Sequence, residues 1–302
     1  MKLAHIINPV KVSASSDLHV AQPITFESIR AAKNFADGKQ EVELFTVCYP
    51  EDREIIPPLF TQLPDLKRSV LDIKNFSAQK KYPLLADVLQ ALYQNTDAEF
   101  LIFTNMDIAL MPQFYLAVGE LLKDGTDALL INRRGISSAY KGVEQLPLMY
   151  ADFGMPHPGF DCFVFHRSLM DKIVLADICL GVSFSEVALV HNFIAFAKKL
   201  KLIDQLHLTF HIGTEVMPPL LPEFYTHNRN EYEQKVYPLL KPHLDICKFP
   251  YALLPFHKRI LKWILNPVFR THQVAEMEGK SFARRIKYKI DSLRFMLLDK
   301  IR

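Results

Sequence analysis

Glycine is scarce in this 302-residue chain: only 10 occur, and none forms G-x-G-x-x-G or G-x-x-x-x-G-K-[ST]. The standard phosphate-cradling loops are therefore absent. Cysteine is scarcer still, with four residues (Cys48, Cys162, Cys179, Cys247) and no C-x-x-C spacing. That argues against a disulfide scaffold or a structural zinc site and points to a reducing compartment. No run of about 18 uncharged apolar residues exists to cross a bilayer, and the N-terminal MKLAHIINPVKVSASSDLHV lacks the apolar core of a secretory signal. A cytoplasmic location is expected. A dominant charge sign is missing too: the formal net charge is +3, too slight to imply a nucleic acid partner. What is present, 49% hydrophobic and 23% charged residues, suits a globular chain that builds its core without staples.

The charge is unevenly placed. Residues 250–302 carry a net +8 and residues 1–249 a net −5, a change of sign that marks a change of role. Two domains are expected, 1–249 and 250–302. The first alternates short β-type runs with helical patterns, the signature of an α/β fold. Strands are predicted at Leu3–Asn8, Val42–Tyr49, Ser69–Ile73, Glu99–Thr104, Ala128–Asn132, Cys162–His166 and Leu206–His211. Helices are predicted at Ile24–Phe35 (Thr25 as N-cap), at Leu84–Tyr93 after Pro83, from Pro112 to about Lys123, and over Ser183–Leu200.

The densest chemical signal is Phe100–Leu110, FLIFTNMDIAL, where a buried strand ends in Thr104-Asn105-Met106-Asp107. In open α/β sheets ligands bind beyond the carboxyl ends of the strands. A carboxylate there, two positions from an amide oxygen, can hold Mg²⁺ or Mn²⁺, and such a cation assists the departure of a diphosphate. The same two residue types also cap turns.

EFLIFTNMDIAL resembles the strand and DxD-type motif of GT-A-fold glycosyltransferases, whose members often show a T-N-x-D-I or N-S-D-I form. Phe76–Tyr93 resembles the helix preceding that strand in the same families. The likeness spans roughly residues 1–245 and departs from the common pattern in having Asn105 where many members have Asp. It implies a GT-A-like mixed, mostly parallel sheet flanked by helices. It also implies a nucleotide-diphospho-sugar donor and a glycan or lipid-linked acceptor. By the same resemblance, Asp107 and His211 would hold Mn²⁺ or Mg²⁺, with His207, His227 and His243 as competitors for the second place. Asp161, in the G-x-D segment of HPGFDCFVFHR, would hydrogen-bond sugar hydroxyls. Glu186, in the first turns of a helix, would be the general base that takes the acceptor's proton.

Nucleotide contacts are expected after the first two strands and around the diphosphate. The candidates are Asn8, Asp52, Lys81, Asn105 and Arg133, a guanidinium being suited to bidentate phosphate contact. Residues 281–302 repeat apolar side chains at 286, 290, 293, 297 and 301 among seven Lys and Arg. With Phe256–Arg270 they form a basic amphipathic extension suited to an anionic membrane surface, or to packing on the core. The reading is a metal-dependent glycosyltransferase of the hexosyl type, cytoplasmic or peripheral on the membrane. Two rivals stand beside it: a non-catalytic nucleotide- or sugar-binding relative, and a membrane-associated interaction protein.

Overall fold

The computed structural model describes residues 1–157, 159–213, 221–249, 251–255 and 257–258. In chain order, β1 (Lys2–Ile7), α1 (Leu18–Ala36), β2 (Glu41–Thr46) and a two-residue β3 (Thr61–Gln62) come first. Next come α2 (Leu85–Asn95), β4 (Phe100–Thr104), β5 (Ala109–Leu110), α3 (Phe114–Leu122), β6 (Ala128–Ile131) and β7 (Arg134–Ile136). Then follow α4 (Leu146–Ala151), β8 (Met155–Pro156), β9 (Cys162–His166), α5 (Ser185–Phe196), β10 (Leu200–Ile203), β11 (Thr209–Ile212) and α6 (Pro222–Glu231).

Seven strands form the main sheet in the order β10-β6-β9-β4-β1-β2-β3. The pairs β1–β2, β1–β4, β2–β3 and β6–β10 are parallel, and β9 runs antiparallel to both its neighbours. The sheet is thus mixed and mostly parallel, as expected. The exits of β1, β2, β4 and β6 share one edge, where β9 begins. Of a second sheet, β5-β11-β7-β8, only β11 overlaps an expected strand, Leu206–His211, because the other three, of two or three residues, are too short to show a period.

Both faces of the main sheet are covered, which is why its strands read as continuous apolar runs. Phe26, Ile29 and Ala32 of α1 and Phe114, Tyr115 and Val118 of α3 pack on Leu3, Ile7, Ile102, Leu129, Ile131 and Val164. On the opposite face Phe193 of α5 meets Phe163 and Phe165. Leu85, Val88, Leu89 and Leu92 of α2 are all fully buried, each contributing about 1.5–3 kcal/mol of transfer free energy.

Three expectations are corrected. The first helix starts at Leu18, not Ile24, and Thr25 lies inside it rather than capping it. Pro23 costs that helix one N–H donor, yet Ala21, Gln22, Ile24 and Thr25 around it are all buried. Gln22 also clamps the loop after β1, accepting from Val10 N–H (2.9 Å) and donating to Val10 O (2.7 Å). Tertiary burial thus carries the helix past the proline. Ser69–Ile73 is not a strand: Val70–Asp72 is a 3₁₀ turn in which Ser69 and Asp72 form a capping box, so local side-chain bonds displace the ladder. The long helix expected over Ser183–Leu200 ends at Phe196. There Asp127 accepts the N–H groups of Lys198 and Lys199, each at 2.8 Å, and the chain turns into β10.

The chain divides into two compact units, Met1–Ala252 and Leu253–Arg302. The basic helical pattern expected within 250–302 lies outside the described residues, save for 251–255 and 257–258. Among the described residues no helix is long and apolar enough to cross a membrane. Cys48, Cys162, Cys179 and Cys247 are all unpaired.

Candidate active site

β4 leaves the sheet through a tight turn in which Ile108 N–H donates to Asn105 O at 3.2 Å. Met106, at the turn's centre, is buried in the core with Ile102 and Leu110. Anchoring that apolar residue leaves Asn105 and Asp107, on either side of it, at the sheet's exit edge. The chain then enters β5, which pairs antiparallel with β11 through Ala109↔Phe210 and Leu110↔Thr209. One step further that register sets His211 level with Ile108. His211 Nε2 accordingly stands 3.2 Å from Asp107 Oδ2. Its other nitrogen, Nδ1, lies 3.2 Å from Gly213 O and donates to it, because a carbonyl oxygen can only accept. Burial pushes the Asp107 carboxyl up, but the His211 bond and charge and the nearby Arg133 outweigh it, and the net pKa falls below the usual value.

A second group enters from β9 and β6. The β4–β9 and β6–β9 registers end at Thr104↔Cys162 and Ile131↔Cys162, so the next residues, Asn105, Asp161 and Asn132, form a row across three strand ends. Asp161 is 6% exposed. Its Oδ1 accepts from the Arg133 guanidinium at 3.1 Å, while its Oδ2 has no hydrogen-bond donor among the described residues. The Oδ1 of Asn132 is likewise buried without a donor; its amide nitrogen reaches His157 O (3.2 Å) and Asp204 O (3.4 Å). His157 Nδ1 accepts from Gly159 N–H at 3.0 Å and lies 3.7 Å from Asp161 Oδ2. Burial, then the Arg133 charge, lowers its pKa to about 4.

α5 supplies the third member. Glu186 is its second residue, where a carboxylate faces the free N–H groups of a helix start. The preceding Phe184 has φ +86°, an uncommon value for a non-glycine residue. Asn228 ties down the loop before it, donating to Cys179 O (2.8 Å) and Ser183 O (3.2 Å) and accepting from Cys179 N–H (2.9 Å). Glu186 Oε1 accepts from Asn105 Nδ2 at 3.3 Å. Burial first, and the charge of Asp161 second, raise the Glu186 carboxyl above its ordinary value.

Six residues singled out in the sequence, Asn105, Asp107, Arg133, Asp161, Glu186 and His211, are thus brought to one place by four strand ends and a helix start. Asn8, Asp52 and Lys81 form a separate group at the exits of β1 and β2. Asn8 donates to Val47 O at 2.6 Å, bridging the two exits. The buried Asp52 accepts from Lys11 N–H at 2.7 Å, and burial raises its pKa. Lys81 pairs with Glu51 at 2.6 Å and lies 5.3 Å above the Tyr49 ring. The register Ile6↔Phe103, continued two steps, sets Asn8 beside Asn105, so the groups are neighbours along one edge. Of the competitors, His227 bonds Asp177 O at 2.9 Å and His243 packs against Phe196. Sequence reasoning missed His157 and Asn132. The only available signal was the His-x-x-x-Asp spacing of HPGFD. A cleft of about 560 Å³ between α1 and the segments after β1 and β2 includes Lys11, Gln22, Phe26 and Phe60; none of its walls belongs to the Asp107 group.

Among the described residues no set of three or more His, Cys, Asp and Glu side chains is arranged to hold a metal ion. The Asp107–His211 pair nevertheless has the right donor chemistry. Its ring held by Gly213 O through Nδ1, His211 presents Nε2 to Asp107 Oδ2, and an imidazole nitrogen beside a carboxylate oxygen is a donor set that a divalent cation accepts.

No protein-family model matches the chain, and no curated protein matches it. Solved structures do. TarS residues 1–349 of S. aureus in complex with UDP-GlcNAc aligns at 12% identity with a TM-score of 0.47, covering 90% of this chain and 72% of that one. Glucosyl-3-phosphoglycerate synthase of Mycobacterium tuberculosis with Mn²⁺, UDP and glucosyl-3-phosphoglycerate aligns at 14% and 0.42, covering 76% of each chain. The 4-diphosphocytidyl-2C-methyl-D-erythritol synthase of Anaerococcus prevotii aligns at 10% and 0.39, covering 75% and 96%. At similarities of this size the fold class rests on the strand order and register above, and the function on the site itself.

Proposed function

We propose that this chain is a glycosyltransferase that moves a sugar from a nucleoside diphosphate donor to a hydroxyl acceptor. The observation that carries the reading is the convergence of the Asp107–His211 contact, the Arg133–Asp161 pair and Glu186 at the exit of β4. A carboxylate–imidazole pair and a guanidinium suit a diphosphate leaving group. A half-satisfied buried carboxylate suits sugar hydroxyls. A carboxyl with a raised pKa suits proton uptake.

In the transfer, the acceptor oxygen forms a bond to the anomeric carbon as the carbon–phosphate oxygen bond breaks and its electron pair leaves with the diphosphate. Glu186 takes the acceptor's proton; burial makes its carboxylate more basic and so better matched to that role. Arg133 stabilises the negative charge that grows on the leaving group. The Oδ2 of Asp161 and the Oδ1 of Asn132, buried without donors among the described residues, would orient hydroxyls, and positioning supplies much of the rate. Asp107 and His211 would hold Mn²⁺ or Mg²⁺, which when bound supplies Lewis-acid neutralisation of the diphosphate. Asn8, Asp52 and Lys81 would line the nucleoside side, and the basic pattern of 281–302 would bring the enzyme to an anionic membrane carrying its acceptor.

A thermal-shift panel of nucleoside diphosphates and their sugars, with and without Mn²⁺, tests the reading. A ligand at 100 times its Kd stabilises the native state by about 2.7 kcal/mol. The expected result is a Mn²⁺-dependent shift with one nucleotide, lost in Asp107→Ala while that variant stays folded. No shift with any nucleotide, or an undiminished one in Asp107→Ala, refutes it.

A further inference from the structure

Position 105 is the chain's departure from the DxD pattern, and the fold gives it a specific neighbour. Asn105 Nδ2 is 3.3 Å from Glu186 Oε1, and the direction of that bond is unambiguous: a carboxylate only accepts, so the amide nitrogen must face it. Asp161 stands across from Asn105, one step beyond the Thr104↔Cys162 pair, with its own Oδ2 unpaired. An aspartate at 105 would put a third carboxylate between Glu186 and Asp161 in a partly buried site, where like charges repel strongly. The amide instead supplies a donor where the surroundings supply negative charge.

Resting on the nucleotide-sugar reading of the site, we propose that Asn105 is a positioning residue for Glu186. Its amide holds the acid–base carboxylate against the end of β4, and it leaves the diphosphate and cation to Asp107, His211 and Arg133. The carboxylate of Glu186 is then fixed from two sides, by the Asn228-held loop before α5 and by the turn that carries Asp107. One strand exit thereby sets the distance between the leaving-group site and the base.

The test is a stability cycle that needs no ligand. Asn105→Ala and Asn105→Asp are each made with Glu186 and with Glu186→Gln, and unfolding in urea is followed at pH 8. With Glu186 present, Asn105→Asp should have an unfolding constant about tenfold worse than Asn105→Ala, and neutralising Glu186 should shrink that ratio about fivefold or more, as coupled neighbours do. A ratio that is the same in both backgrounds overturns the proposal.

A second readout separates positioning from packing. With a donor that the wild type turns over, Asn105→Ala should lower kcat about tenfold or more while donor KM and the calorimetric Kd for UDP stay within about twofold. A UDP Kd weakened about tenfold would place Asn105 on the diphosphate and overturn it. A wild type that binds neither UDP nor any other nucleoside diphosphate refutes the proposed function, and the stability cycle still decides the role of Asn105.

Discussion

His5 should make this fold acid-sensitive by an amount that can be worked out. It lies on β1, 1% exposed, with Nδ1 2.8 Å from Tyr115 Oη and Nε2 2.9 Å from Thr104 Oγ1. Both hydroxyls can orient to suit a neutral ring, one donating and one accepting, and burial pushes the imidazole pKa from 6.5 down to about 3. Between those values the unfolded chain binds a proton that the folded chain refuses, so stability rises with pH and is lost as pH falls below 6.5. The loss grows at about 1.4 kcal/mol per pH unit and reaches about 2 kcal/mol at pH 5, a large part of the 5–15 kcal/mol of a typical domain. His157, lowered to about 4, adds a loss of the same sign, so the difference between proteins is the quantity to read. Urea unfolding at pH 7 and pH 5 should show that His5→Gln, which keeps a polar side chain between the two hydroxyls, loses about 2 kcal/mol less than the wild type on acidification. Equal losses in the two proteins, or an NMR titration of His5 midway near 6.5, would refute the reasoning.

Further outcomes follow from the site. Glu186→Gln should lower kcat by about 10²–10⁴ with UDP affinity unchanged. Because the Glu186 pKa is raised, wild-type kcat should fall on the acid side of a midpoint above the ordinary carboxyl range, a limb that is absent in the variant. Arg133→Met should cost about 3–5 kcal/mol by leaving the Asp161 carboxylate buried without its partner, and adding Asp161→Asn should recover part of it; additive losses in urea would show that the pair is not coupled. Asp107→Ala should remove Mn²⁺-dependent nucleotide binding and leave unfolding cooperative, as calorimetry can check.

Most long elements were legible because their patterns are local. FLIFT and CFVFH are apolar throughout since both sheet faces are covered, and LLADVLQALY shows its buried stripe at helical spacing. The failures have local causes as well. Ser69–Ile73 carries β-type residues, but a serine and an aspartate three apart bond each other's turn more cheaply than a ladder forms. The helix expected over Ser183–Leu200 is cut by Asp127, a residue some seventy positions away, which no window over the helix contains. β11 overlapped the expected strand Leu206–His211, but its partners β5, β7 and β8, two or three residues each, had no period to display.

By itself the sequence determined that an apolar strand ends in Thr104-Asn105-Met106-Asp107, and the resemblance carried by that segment added Asp161 and His211. It also determined that Glu186 begins a helix, because the apolar spacing and the helix start are properties of a few consecutive residues. Only the tertiary structure decided who faces whom. Strand register set Asn105, Asp161 and Asn132 in one row and brought Arg133 to Asp161, and the docking of α5 brought Glu186 to the Asn105 amide. Those partners lie 28 to 81 residues apart along the chain, and their contact follows from strand pairing and helix docking rather than from any neighbourhood in the sequence.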